Sequence, residues 1–317
     1  MRFALMSEPQ QGLAYDEILA LARTAEEAGF ETYFRSDHYA SFPGEGGMNT
    51  TDAWATLAGL ARELRTIRLG VLVSPVTFRL PGNLAKVIQT VDEMSDGRVE
   101  AGFGAGWNAD EHAQLGLPFP PVDERFDMLE EQMAILHGLW TGPDGWSFEG
   151  DHWQVRGSRR HGDIARGGRR HPHVIFGGAG KPRLARLVAR YGDEFNLVSA
   201  TPDDAASAYA RVREACRAEG RDPAAIVYSA MTGVLVAETA DELRTRVADL
   251  LGALGRSPDE GDRWLAERRG RWVMGTPDEA WERVRALEAV GVQRIMLQNF
   301  LPRDLDHVRL LGRTFVG

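Results

Sequence analysis

The chain has 317 residues, 43% of them hydrophobic and 26% charged, the balance of a soluble globular protein. No run approaches the roughly eighteen apolar residues needed to span a bilayer, and a net charge of −9 repels polyanions at long range, which argues against nucleic acid as a partner. Cys216 has no disulfide partner, and Met1–Met6 is too short for a signal-peptide core, so the expected setting is a reducing cytoplasm.

Along the chain a short β-branched or apolar run is followed by an amphipathic helix, again and again. Arg2–Met6 reads as a strand and Tyr15–Ala28 as a helix, with Ile18, Leu19, Ala22 and Ala25 at helical spacing and Gly29 as its stop. Strand Thr32–Arg35 precedes helix Asp52–Leu64, where Asp52 or Thr51 suits the N-cap. Strand Ile67–Val73 leads to helix Asn83–Met94, and strand Arg98–Phe103 to helix Glu124–Leu139. After a break come strand His173–Phe176, helix Pro182–Tyr191, strand Glu194–Val198 and helix Asp203–Glu219. Strand Ile226–Val236, helices Ala240–Leu254 and Pro277–Val290, strand Arg294–Gln298 and a helix closing near Leu311 complete the chain. Eight alternating units imply parallel strands, and eight favour a closed (β/α)₈ TIM barrel, here one domain over residues 1–317. Insertions fall at about 141–172 and 255–275. The first is rich in arginine: Arg156, Arg159, Arg160, Arg166, Arg169 and Arg170.

In such a barrel, chemistry sits on the loops after the strands. Strand two is followed by Ser36-Asp37-His38, strand four by Gly104-Ala105-Gly106-Trp107-Asn108, and strand five by Gly177-Gly178-Ala179-Gly180. The last runs into a helix, whose N-terminal amides suit a phosphate. Gly104 and Gly106 would admit a flat ring or a phosphate close to backbone, although ordinary tight turns need the same glycines. Neither cluster has dinucleotide-fingerprint spacing. His38 can exchange a proton near neutral pH or bond a ring heteroatom, with Asp37 anchoring the loop or Arg35. His152, His161, His171 and His173 lack the carboxylate or cysteine spacing of a metal site, so no metal is expected. No Gly-x-Ser-x-Gly elbow is present and Cys216 lies within a helix, which leaves no nucleophile.

Taken in order, Ser36-Asp37-His38, Ile67-Arg68-Leu69-Gly70, Pro75-Val76-Thr77-Phe78-Arg79, Asp92-Glu93-Met94-Ser95-Asp96-Gly97-Arg98, Gly104-Ala105-Gly106-Trp107-Asn108 and Phe176-Gly177-Gly178-Ala179-Gly180 resemble the luciferase-like superfamily, in particular its branch that uses the deazaflavin coenzyme F420. The resemblance implies a flavin-like ring in the barrel mouth, with C5 facing a substrate. It also implies a bulge in strand three, commonly with a non-prolyl cis peptide, which falls at Leu72-Val73-Ser74 and assigns Val73 and Ser74 to the ring. It further implies that His38 contacts the ring and acts in catalysis, that Gly106 and Asn108 lie near the coenzyme side chain, and that Gly177, Gly178, Ala179 and Gly180 hold its phosphate. Sugar-phosphate dehydrogenases of this branch carry a glutamate where Trp107 stands, so Trp107 belongs to a different substrate.

The expected function is hydride transfer between F420 and a small or peptidic substrate with an activated C=C or C=N. An FMN-dependent monooxygenase of the same fold and a non-catalytic ligand-binding barrel are the alternatives. Met48, Trp107, Trp264 and Phe300 are candidate pocket walls. Trp54, Leu57, Leu60 and Ala61 form a helix face suited to a homodimer, and the arginine-rich insertion offers charge for the anionic coenzyme tail.

Overall fold

In a computed structural model the described residues are 1–42, 46–159 and 171–317. Arg160, Arg166, Arg169 and Arg170, which carry most of the arginine cluster, lie outside them. Eight parallel strands close into a barrel in the order β1 (Arg2–Ser7), β2 (Thr32–Arg35), β3 (Arg68–Pro75), β4 (Val99–Gly104), β7 (His173–Gly177), β8 (Glu194–Val198), β9 (Val227–Val236) and β11 (Arg294–Asn299), with β11 returning to β1. The register at closure pairs Met6 with Gln298 and Ser7 with Asn299. These are the eight strands expected from the alternating pattern. An additional strand, β10 (Val273–Gly275), extends the sheet beside the long β9.

Helices α1 (Tyr15–Glu27), α2 (Ala53–Glu63), α3 (Pro81–Met94), α5 (Val122–Thr141), α6 (Pro182–Tyr191), α7 (Pro202–Ala218), α8 (Ala240–Ala253), α10 (Pro277–Ala289) and α11 (Leu305–Phe315) cover the barrel. Their starts follow from local chemistry. Asp52 caps α2 by accepting from the Ala55 amide at 2.8 Å, and Thr201 and Thr276 open α7 and α10 with reciprocal capping boxes ahead of prolines. Main-core side chains fill the space between strands and helices, while Ala4, Met6, Phe34, Leu72, Ile175, Met231 and Met296 form a separate cluster. None of the helices among the described residues is long and apolar enough to cross a membrane.

Three expectations change. The helix face carrying Trp54, Leu57, Leu60 and Ala61 is buried within the chain, and Trp54 Nε1 donates to Ser74 Oγ at 2.9 Å; that face covers the barrel and is not free for a second copy. The insertion near 255–275 contains helix α9 (Gly261–Arg268). Its Trp264 is buried edge-on to Trp272 at 5.0 Å and does not line the barrel-mouth cavity. The described part of the first insertion folds as an antiparallel hairpin of β5 (Trp146–Glu149) and β6 (Gln154–Ser158).

Candidate active site

The mouth of the barrel holds a cavity of about 730 Å³, within the usual range for small-molecule and cofactor sites. Residues after six of the strands reach it: Glu8 and Gln10 after β1, His38 after β2, Pro75 at the end of β3, Gly106 to Asn108 after β4, Gly178 and Ala179 after β7, and Phe300 after β11.

His38 is held by a residue that the sequence pattern did not disclose. A short helix, α4 (Ala109–Leu115), follows β4, and Asn108 caps it by accepting from the Glu111 amide at 3.3 Å. This turns Glu111 inward. It is buried, and one of its oxygens lies 2.9 Å from His38 Nδ1. The other accepts the backbone N–H groups of Tyr39 and, at 3.0 Å, Ala40. Burial alone would raise the Glu111 carboxyl, but the bond and charge of His38 and these two amides hold it below the ordinary range. An ionised carboxylate only accepts, so the proton between the two groups sits on Nδ1. The other ring nitrogen, Nε2, is left for the cavity, where it accepts when the ring is neutral and donates when it is charged.

Asp37, beside His38, does not pair with Arg35. Its carboxylate receives Arg79 Nη1 at 2.5 Å, Arg79 Nη2 at 3.1 Å and Ser74 Oγ at 2.8 Å, and Arg79 also reaches Asp52 at 2.5 Å and the Tyr39 hydroxyl at 2.7 Å. Arg35 instead bonds Thr51, Thr56 and the Ser36 carbonyl. The loop carrying His38 is thus fixed on one side by Glu111 and on the other by Arg79. Across the site Glu8 is buried and bonded by two amide side chains, Gln10 at 2.7 Å and Gln298 at 2.5 Å.

The back of the cavity is made by Val73. The Leu72–Val73 peptide is cis, and the pairing of β3 with β4 slips between Val71 and Ser74, where the sequence placed a bulge. Val73 faces the cavity. Its methyls would lie 2.8 Å from a Cβ on Gly104, 2.8 Å from one on Gly177 and 3.0 Å from one on Gly102. A side chain at any of these glycines would collide with Val73. Val73 thus fills the side-chain position of Gly104, which itself lines the cavity. Ser74 is buried between Asp37 and Trp54, and its side chain is turned away from the cavity.

Beyond β7, Gly177, Gly178 and Ala179 line the cavity. The Gly178 amide is committed to the Asn196 carbonyl at 3.1 Å. Gly180, at φ +61°, packs against Phe195 and is not part of the wall. Arg211 donates to the Gly180 carbonyl at 3.0 Å, fixing the loop. No side chain caps α6, and Lys181 at its start is exposed, lines the cavity and has no ion-pair partner among the described residues. These groups suit an anion at the loop.

Of the residues named from sequence, the cavity therefore gathers Asp37, His38, Val73, Gly104, Gly106, Trp107, Asn108, Gly177, Gly178, Ala179 and Phe300. Ser74, Gly180 and Trp264 stand outside it, and Met48 lines a neighbouring cavity that shares Phe300. Glu8, Glu111, His112 and Lys181 were not anticipated. His112 is spent on the fold, bonded at 2.6 Å to the Asn108 carbonyl and at 2.6 Å to Thr77.

Over 157 residues, 49% of this chain and 46% of the relative, the sequence is 34% identical to the F420-dependent glucose-6-phosphate dehydrogenase of Microbacterium testaceum (strain StLB037). That match spans about half of the relative's length. The namesake from Intrasporangium calvum (strain ATCC 23552) is 27% identical over 312 residues, covering 91% of this chain and 89% of the relative. Among solved structures, the monooxygenase RslO1 from Streptomyces bottropensis superposes with a TM-score of 0.81 at 25% identity, covering 100% of this chain and 99% of that one. The family described as luciferase-like monooxygenase matches residues 1–294, and on that match, together with the closed barrel, the chain belongs to the luciferase-like monooxygenase family.

Proposed function

We propose that this chain is an F420-dependent oxidoreductase that moves a hydride between deazaflavin C5 and an organic substrate bearing an activated C=C or C=N. When bound, the deazaflavin supplies or receives that hydride. Val73 offers an apolar backing for a flat ring, and the glycine loop leads into the uncapped start of α6, where Lys181 offers a cation for a phosphate. His38 handles the accompanying proton: Glu111 keeps Nδ1 protonated and fixes the ring plane, so Nε2 is the atom that gives or takes a proton in the cavity. The observation that carries this reading is the pairing of His38 with the buried Glu111, on a cavity that the glycine loop also lines.

An FMN-dependent monooxygenase is the second reading, favoured by the likeness to RslO1. The two separate by titration. Reduced F420 is expected to bind with a Kd of about 1 μM or tighter, FMN more weakly, each followed by difference spectra. FMN binding clearly tighter than F420 overturns the cofactor assignment.

A further inference from the structure

We propose that the substrate taken by this cavity is a neutral, planar, largely apolar molecule that stacks on Trp107, and not a sugar phosphate. This rests on the oxidoreductase reading above and adds to it the class of molecule that lies against the coenzyme.

The first observation is how the cavity's charges are already used. Asp37 is paired with Arg79, Glu111 with His38, and Glu8 with two side-chain amides. His112 is bonded through both ring nitrogens. The polar groups left for ligands include His38 Nε2, the Lys181 ammonium and the buried, unpartnered Asn196 Oδ1. Among the described residues of the wall, Lys181 is the single lysine or arginine. It stands at the glycine loop, where the coenzyme phosphate would need it. A substrate phosphate would bring a second multiply charged anion into a wall that holds three carboxylates and has no spare cation.

The second observation is what the wall does offer. His38, Phe42 and Trp107 meet edge to face, with ring centroids 4.5 Å apart for His38–Phe42, 5.2 Å for Phe42–Trp107 and 5.9 Å for His38–Trp107. Trp107 is held in this cluster although 66% of it is exposed, and the neighbouring wall residue Val122 is 51% exposed. Large apolar groups left open at a cavity mouth mark a binding surface rather than a core. An indole offers a flat face that a conjugated, neutral ring covers well. The same cluster includes His38, so a molecule stacked on Trp107 lies next to the nitrogen assigned to proton transfer.

The test uses menadione as a neutral planar probe and glucose 6-phosphate as the sugar phosphate. Calorimetric titrations are run on the full chain, with and without F420. Menadione is expected to saturate with a Kd of about 10 μM, and glucose 6-phosphate to show no saturation at about 1 mM. Trp107→Ala, an exposed position that should leave the thermal midpoint unchanged, should weaken menadione about tenfold while F420 fluorescence titrations stay as in the wild type. Phe42→Ala should act in the same direction. Tighter binding of glucose 6-phosphate than of menadione overturns the proposal, as does a Trp107→Ala variant that binds menadione like the wild type. If F420 fails to bind but menadione still binds through Trp107, the cofactor reading falls and the apolar surface stands. If F420 binds and menadione does not, the substrate class falls alone.

Discussion

At the N-terminal end of the barrel, Arg294 at the start of β11 reaches Glu100 of β4 at 2.7 Å and Glu194 of β8 at 3.1 Å, with Glu31 at 3.2 Å. Arg68 pairs with the same Glu100, Arg294 donates to Thr32, and His173 lies 2.9 Å from Glu194. At the opposite end, His38 has one charged partner and a ring nitrogen to spare, and Lys181 has none among the described residues. Both ends bury titratable groups inside one ring of strands, but they differ in what is left over. At the closed end, two arginines and a histidine match three glutamates. The open end keeps a proton carrier and a cation available. The N-terminal end of a TIM barrel serves stability and the C-terminal end chemistry. Here that division shows in the charges: those of the closed end are paired with one another, while the open end turns a ring nitrogen and an ammonium to the cavity. The oxygen and nitrogen atoms of Glu100, His173 and Glu194 lie within 4.8 Å of one another, as metal ligands might, but the guanidinium of Arg294 already serves both carboxylates.

The comparison is broken most directly by removing the cation at the closed end. Arg294→Met leaves Glu100 and Glu194 buried and short of their main partner, which should cost about 3–5 kcal/mol. Urea unfolding reads this as a lower midpoint at unchanged slope. A loss under about 1 kcal/mol would mean that the closed end is not held by this pairing. At the open end the expectation reverses. His38→Ala should lower turnover about a hundredfold and, because Glu111 keeps two backbone amides as partners, should cost less stability than Arg294→Met. Full turnover in that variant would remove His38 from the chemistry.

Glu111 sharpens the same contrast, because it is buried like the closed-end glutamates yet acts through a cavity residue. Glu111→Gln should lower kcat about tenfold, the scale for a group that orients another. The His38→Ala/Glu111→Gln double variant should then be no slower than His38→Ala alone, since the second change has nothing left to act on. Additive losses would show that Glu111 has its own role, independent of His38.

The barrel itself was legible because each strand-helix unit repeats the same two periodicities, and its eight strands reappear within a few residues of where the pattern placed them. The bulge at Leu72-Val73-Ser74 was legible only through family likeness. Helix α4 was not, because Ala109-Asp110-Glu111-His112-Ala113-Gln114 has no apolar stripe to signal a helix. The spacing from Asn108 to Glu111 was its one signal, as an N-cap followed by a glutamate at N3. Asp37 was expected to anchor its loop or Arg35; it anchors the loop through Arg79, 42 residues away, and such pairing is set by how loops converge. The closed-end network escaped notice for the same reason. Arg294, Glu100 and Glu194 each open or nearly open a strand, where a charge reads as solvent-facing until barrel closure brings three such positions together. Gly104 carries a sequence signature that serves two ends at once, since it lines the cavity and also makes room for Val73 beside it.

The smallest expected effect is a pH dependence belonging to the closed end alone. Burial disfavours the charged form of His173, but its hydrogen bond to Glu194 and the charges of Glu100, Glu194 and Asp193 outweigh that, and its pKa is raised above the ordinary 6.5. A group whose folded pKa is raised gives stability that is fully present below its unfolded pKa and is lost as pH rises through the folded value. Glu100 and Glu194 work with the opposite sign. Burial would raise them, but Arg294 and His173 hold both low, so their contribution is present above the ordinary carboxylate pKa and is lost as pH falls. Folding stability should therefore decline on the alkaline side of about pH 6.5, with a slope that one proton limits to about 1.4 kcal/mol per pH unit. His173→Gln keeps a hydrogen-bond donor near Glu194 but cannot titrate, so urea unfolding from about pH 6 to pH 9 should show the decline in the wild type and a flatter line in the variant. Differencing the two lines cancels any general effect of the chain's negative charge. A wild type that gains stability relative to His173→Gln as pH rises would mean that His173 is neutral in the fold, and the closed end would then carry one unbalanced glutamate.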